Sequence, residues 1–164
     1  MADMLSAGEI IEIAIQIEKN GRDFYLELET NTKDIKAKEV FKFLAEEEKG
    51  HISAFKSILD SVEKNEPKGL FSEEYFAYMN ALASGHVFTQ KDKGREIAKK
   101  INSFLEAVDM SIGFEKDSII FYEGVKKFIY EHDKKVVDEI IKQEQAHFKK
   151  LSEVKNYLLA HPEE

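Results

Sequence analysis

The chain carries two Glu-x-x-His pairs, Glu48 with His51 and Glu144 with His147, and two further glutamates, Glu18 and Glu115, in otherwise apolar surroundings. On a helix a spacing of three brings both side chains to one face, where a single ion can meet both. Four carboxylates and two imidazoles suit a pair of divalent ions held between helices. In such a site Glu48 and Glu144 are placed to bridge the ions, His51 and His147 each cap one, and Glu18 and Glu115 are terminal ligands. The charges also close, because four carboxylates balance two divalent cations. Mixed carboxylate and imidazole ligation suits iron or manganese and is compatible with zinc. The motif alone is a weak signal in a glutamate-rich chain, and buried Glu–His hydrogen bonds without metal are the competing explanation.

Composition narrows the chemistry from the other side. There is no cysteine, which excludes disulfides, thiolate catalysis, iron–sulfur clusters and cysteine-built zinc or rubredoxin-type sites. The 164 residues carry a net charge of −8, which argues against a nucleic-acid or anionic-membrane partner. No apolar run approaches the roughly 18–20 residues of a membrane span, and Met1–Leu5 does not resemble a signal peptide. The expectation is a soluble, cytoplasmic single domain over residues 1–164.

The elements that must position these residues are long helices, since apolar residues recur at alternating threes and fours. A first helix is expected over about 6–30, opened by a capping box of Ser6 and Glu9. A second runs over about 34–64, capped by Thr32 or Asp34, and Asn65-Glu66-Pro67-Lys68-Gly69 breaks the chain. The connection over about 65–102 holds two short helices, Ser72–Ala83 and Asp92–Lys100. A third long helix, capped by Ser103 and Glu106, spans about 103–130, and a fourth about 133–160, before Pro162. Two tight turns make two antiparallel helix hairpins, and the long connection returns the chain between them. The fold class is therefore all-α, a four-helix bundle with one crossover. An up-down bundle with a disordered loop fits less well, because the connection carries Leu70, Phe71, Tyr75, Phe76 and Met79. With Tyr78, these residues read as a cover for the bundle's side in preference to a dimer surface.

Every stripe is interrupted in its middle by ionisable residues. The second helix reads Ala37, Phe41, Leu44, Glu48, His51, Phe55, Ile58, Val62, and the fourth Val137, Ile140, Glu144, His147, Leu151, Val154, Leu158. The first reads Ile11, Ala14, Glu18, Gly21, Tyr25, Leu28, and the third Val108, Ile112, Glu115, Ile119, Tyr122, Lys126. Counted from the hairpin turns at about 1.5 Å per residue, all six candidate ligands lie at one level, roughly 20 Å away. An unpaired charge at that depth costs several kcal/mol, so something must compensate it. The halves also repeat: EKNGRDFY at Glu18–Tyr25 matches EKDSIIFY at Glu115–Tyr122, and EEEKGH at Glu46–His51 matches KQEQAH at Lys142–His147. His86, His132 and His161 fall outside the stripes and are expected to be exposed and without function.

The ordered series E-x6-Y, E-x-x-H, E-x6-Y, E-x-x-H, with FLAEEEKGH at Phe43–His51, resembles the rubrerythrin branch of the ferritin-like superfamily over about residues 6–160. The resemblance implies a ferritin-like bundle holding two iron ions that react with hydrogen peroxide or dioxygen. It carries over Glu18, Glu48, His51, Glu115, Glu144 and His147 as ligands. Tyr25 and Tyr122 match the family's tyrosines beside the centre, with simple packing as their alternative role. Rubrerythrins of full length add a cysteine-ligated rubredoxin domain, so a cysteine-free chain implies a separate electron donor such as a rubredoxin. Rubrerythrins also carry an extra glutamate three residues after the third-helix ligand. Ser118 stands there, with Asp117 and Glu123 off the stripe, which weakens the case for peroxidase activity. The remaining ligand set equally resembles bacterioferritin, where a haem-binding methionine follows the second-helix glutamate. Lys49 occupies that position, so no haem is expected. The alternative functions are ferroxidase or iron storage in a larger assembly, and a metal-stabilised structural or sensor protein. For the enzyme, a homodimer or small homo-oligomer is expected.

Overall fold

A computed structural model describes residues 6–64 and 72–162. The expected break at Asn65–Gly69, with Leu70 and Phe71, lies outside the described residues. Helix α1 (Ala7–Asn31) opens on the capping box: Glu9 N–H donates to Ser6 Oγ at 3.1 Å, and Ser6 N–H to Glu9 Oε2 at 2.6 Å. A three-residue turn leads to α2 (Ile35–Lys64), where Asp34 Oδ1 accepts from Ala37 N–H at 2.8 Å. Asp34 is therefore the cap, and Thr32 instead closes the end of α1.

The crossover contains α3 (Glu73–Gly85), a short 3-10 turn at Val87–Thr89, and α4 (Lys93–Lys99). Ser103 Oγ accepts from Glu106 N–H to start α5 (Phe104–Val125). The expected reciprocal bond goes elsewhere, because the Glu106 carboxylate accepts from Asn102 N–H. Helix α5 also ends earlier than the spacing predicts: a 3-10 turn at Lys126–Phe128 tightens the chain. It lets α6 (Glu131–Ala160) begin before the expected position 133.

Helices α1 and α2 pack as one hairpin, α5 and α6 as the other, and α1 faces α5 across the middle. Among the described residues the result is an all-helical four-helix bundle of two antiparallel hairpins. Gly21 permits the close approach of α1 to α5, since a Cβ there would sit 2.6 Å from the Phe114 ring.

The crossover is fastened to both central helices. Asn20 on α1 donates through Nδ2 to the carbonyls of Phe88 at 2.6 Å and Gln90 at 2.5 Å, and its Oδ1 accepts from Gly94 N–H at 3.0 Å. Gly94 comes so close that a side chain there would overlap the Asn20 backbone carbonyl. On α5, Tyr75 Oη donates to the Gly124 carbonyl at 2.7 Å, while Tyr75 and Phe76 pack on Phe128 and Met79 is buried. The crossover aromatics thus cover the bundle from within the chain, with Tyr78 left exposed.

This cover corrects two expectations. With the crossover lying against α5, the helix buries a wider face, so Ser111, Phe114, Ser118 and Phe121 are buried while Ile112 and Ile119 are only half-buried. His86 is not exposed: it is 3% accessible, its ring lies against Phe88 and Phe114, and its Nε2 bonds Ser118 Oγ at 3.1 Å. Phe88 N–H donates to His86 Nδ1 at 3.1 Å, which places the ring proton on Nε2. His132 and His161 are exposed as expected. Among the described residues, no helix is long and apolar enough to cross a membrane.

Candidate metal centre

The four long helices bring all six candidate ligands together at the centre of the bundle. Glu18, Glu48, Glu115 and Glu144 have no accessible surface, and His51 and His147 retain 2% each. Their ligand atoms form two groups, Glu18, Glu48, His51, Glu144 and Glu48, Glu115, Glu144, His147, each spanning no more than 4.8 Å. Glu48 and Glu144 belong to both groups.

Both imidazoles turn Nδ1 inward. His51 Nδ1 lies 2.7 Å from Glu144, 3.2 Å from Glu48 and 3.5 Å from Glu18, and His147 Nδ1 lies 3.6 Å from Glu144 and 3.7 Å from Glu115. The rings stack with centroids 6.0 Å apart.

The two tyrosines cross between hairpins. Tyr25 on α1 donates to Glu115 Oε1 on α5 at 2.7 Å, and Tyr122 on α5 donates to Glu18 Oε1 on α1. Each carboxylate is thereby held by one oxygen and presents the other. Those presented oxygens, Glu18 Oε2 and Glu115 Oε2, have no hydrogen-bond partner, and neither do Glu48 Oε1, Glu144 Oε2 and the nitrogens of His147, while Glu144 Oε1 has only its ion-pair contact with His51. So many unpaired acceptors around one point would be costly for protein groups alone. They match the donor set of a dinuclear cation site.

The electrostatics agree. Burial, reinforced by Glu144 and Glu18, pushes Glu48 well above the usual carboxylate range, and burial with Glu144 does the same to Glu115. Burial alone would raise Glu144 too, but the proton-bearing neighbours Glu115, His147 and His51 outweigh it and hold Glu144 below that range. Burial opposes charge on the imidazoles, yet Glu18, Glu144 and Glu48 drive His51 far upward, and Glu115 and Glu144 push His147 up to about 10. Without cations the cluster must therefore hold several protons. Two divalent ions can displace them, because metal ligation needs the deprotonated forms. Tyr25 and Tyr122 are raised by burial and then by the carboxylates, so both remain protonated donors.

The profile of the rubrerythrin family matches residues 9–155. The chain belongs to the rubrerythrin family. A crystal structure described as a ferritin-like diiron-carboxylate protein from Thermotoga maritima is similar to it, with 28% identity and a TM-score of 0.68 over 95% of this chain and 98% of that one. No curated protein matches the chain significantly. For this rubrerythrin-family member, fold and donor set together fit a di-metal protein.

Two neighbours of the site escaped the sequence reading. Gln143 Oε1 lies 2.6 Å from His51 Nε2, and Glu47 Oε2 lies 3.7 Å from His147 Nε2. Each directly precedes a shared carboxylate, at matching places in the internal repeat, and that position was the available signal.

Proposed function

We propose that the protein is a di-iron oxidoreductase that reacts with hydrogen peroxide or dioxygen and draws electrons from a separate donor such as a rubredoxin. The observation that carries the reading is the convergence of inward-facing, unpaired carboxylate oxygens on two groups that share Glu48 and Glu144. Bound iron supplies the redox chemistry that protein side chains lack.

The chain's own residues prepare the site for it. Glu48 and Glu144 are placed to be shared, which fixes the separation of two positions. Tyr25 and Tyr122 hold Glu115 and Glu18 in single orientations and keep a phenolic proton at each. Phe114 against Tyr25 and Phe55 against Tyr122 wall the tyrosines from water. A buried, prearranged set of donors lowers the reorganisation needed when charge changes.

The test is metal analysis of protein purified under iron-replete conditions, followed by anaerobic Fe²⁺ loading and stopped-flow mixing with O₂ or H₂O₂. About two metals per chain are expected, with loss in Glu48→Ala and a fast absorbance change with one oxidant. Fewer than one metal per chain, unchanged in Glu48→Ala, refutes the reading.

One observation favours ferroxidase chemistry as a second reading. The position of the family's extra glutamate is Ser118, and its hydroxyl is engaged with His86. Gel filtration with iron counting separates the two, since storage requires a large assembly and many iron atoms per chain.

A further inference from the structure

The six inner ligands are nearly two-fold symmetric, but the groups behind the two imidazoles are not. With Nδ1 of each ring facing the carboxylates, the outer nitrogen Nε2 is free to donate. His51 Nε2 on α2 meets Gln143 Oε1 on α6 at 2.6 Å. The repeat puts Glu47 of α2 in the corresponding place, facing His147 Nε2 on α6 at 3.7 Å. His147 Nε2 is buried and has no hydrogen bond, and Glu47 is the acid beside it with a side chain 35% accessible. At 3.7 Å the pair stands at ion-pair distance, and this carboxylate is the group that faces the outer nitrogen. Phe43 packs edge-on to His147 on this flank, with Lys150 Nζ 4.6 Å from the Phe43 ring centre.

We infer that Glu47 and Gln143 are positioning residues for His147 and His51, and that a carboxylate behind one ring and an amide behind the other makes the two metal positions unequal. This rests on the reading of the six residues as a two-metal site. An imidazole whose outer N–H is held by a carboxylate is the stronger donor, and removing such a partner costs about 10- to 100-fold in metal affinity. The His147 position therefore binds a divalent ion more tightly than the His51 position and fills first. Symmetry of the inner shell alone predicts equal filling.

Co²⁺, which does not turn over, reads this without any activity. Crystals of the full chain grown with one equivalent of Co²⁺ give the occupancy of each position by anomalous scattering. The expected result is about 10-fold more cobalt beside His147 than beside His51. In Glu47→Gln the two occupancies become comparable, and in the double variant Glu47→Gln with Gln143→Glu the preference moves to His51. Calorimetric titration should show the first step weakened in Glu47→Gln and recovered in the double variant. A merely structural role for Glu47 would not produce that reversal. Equal occupancy in the wild type, or a preference unmoved by the exchange, overturns this inference and leaves the two-metal reading standing. Wild-type protein that takes up no Co²⁺ overturns both.

Discussion

Replacing Glu115 with glutamine tests what the buried carboxylates cost the fold. The side chain is fully buried, Oε1 accepts the Tyr25 hydroxyl at 2.7 Å, and Oε2 has no partner. Burial, with Glu144 adding to it, raises this carboxyl well above its ordinary value of 4.5. The unfolded chain releases the proton near 4.5 while the folded protein keeps it, so metal-free stability falls as pH rises from there. However far the group is raised, at pH 7 the cost is capped by protonating it, about 2.5 pH units at about 1.36 kcal/mol each, or about 3.4 kcal/mol. At pH 5 the same cap is under about 1 kcal/mol. Glutamine keeps the acceptor for Tyr25 and directs an amide toward Glu144. Chelator-treated Glu115→Gln should therefore be more stable than wild type at pH 7, with a melting temperature up to roughly 10 °C higher, and the gap should shrink at pH 5. Adding Co²⁺ should reverse the order, because the variant lacks one ligand. Thermal and urea unfolding followed by circular dichroism at both pH values measures all of this. A metal-free variant less stable than wild type at pH 7 refutes the claim that this carboxylate is held for ligation at the fold's expense.

Other consequences can be checked with the same melts. Asn20→Ala removes three hydrogen bonds between α1 and the crossover and should cost roughly 3–5 kcal/mol; a loss below about 1 kcal/mol would show that the anchor is dispensable. Gly94→Ala drives a methyl group into the Asn20 backbone, whereas Gly124→Ala meets the end of the Met79 side chain and the Tyr75 hydroxyl and no backbone, so the first should destabilise by about 1–3 kcal/mol and the second by less. Burial holds His86 down to about 4 from 6.5, so its contribution is complete above 6.5 and is lost as pH falls toward 4. The stability difference between wild type and His86→Gln should accordingly shift by up to about 3 kcal/mol between pH 7 and pH 4; a pH-independent difference would contradict the neutral, buried ring.

The buried ionisable positions are legible because a charged residue inside an apolar stripe leaves a mark at fixed period. Glu18, Glu48, His51, Glu115, Glu144 and His147 all carry it, and the chain brings them within reach of one another. The capping serines and Asp34 were legible for a similar local reason. What could not be read was set by contacts distant in sequence. His86 and Ser118 are polar residues in a loop and on a helix, and their pairing across 32 positions, with the Phe88 N–H on the other ring nitrogen, is what lets them be buried. Asn20 looks like an ordinary polar residue until the crossover carbonyls arrive at its amide. Ile112 and Ile119 fit the period of the third stripe, yet the crossover shifts the buried face toward Phe114 and Phe121. The early end of α5 follows from the 3-10 turn at Lys126–Phe128, where Gly124, two residues ahead, is the one local residue that hints at a break.

The crossed tyrosine bonds have a consequence for how such a chain could arise. Tyr25 orients a carboxylate of the second hairpin and Tyr122 one of the first, so neither hairpin contains a finished half-site. If the two hairpins descend from one duplicated unit, that ancestor was competent only as a pair, each copy completing the other. Fusion of the genes would then have turned an association that depended on concentration into one fixed by covalent linkage. It also freed the copies to diverge, and the glutamate at 47 opposite the glutamine at 143 is the kind of difference that a homodimer could not have carried.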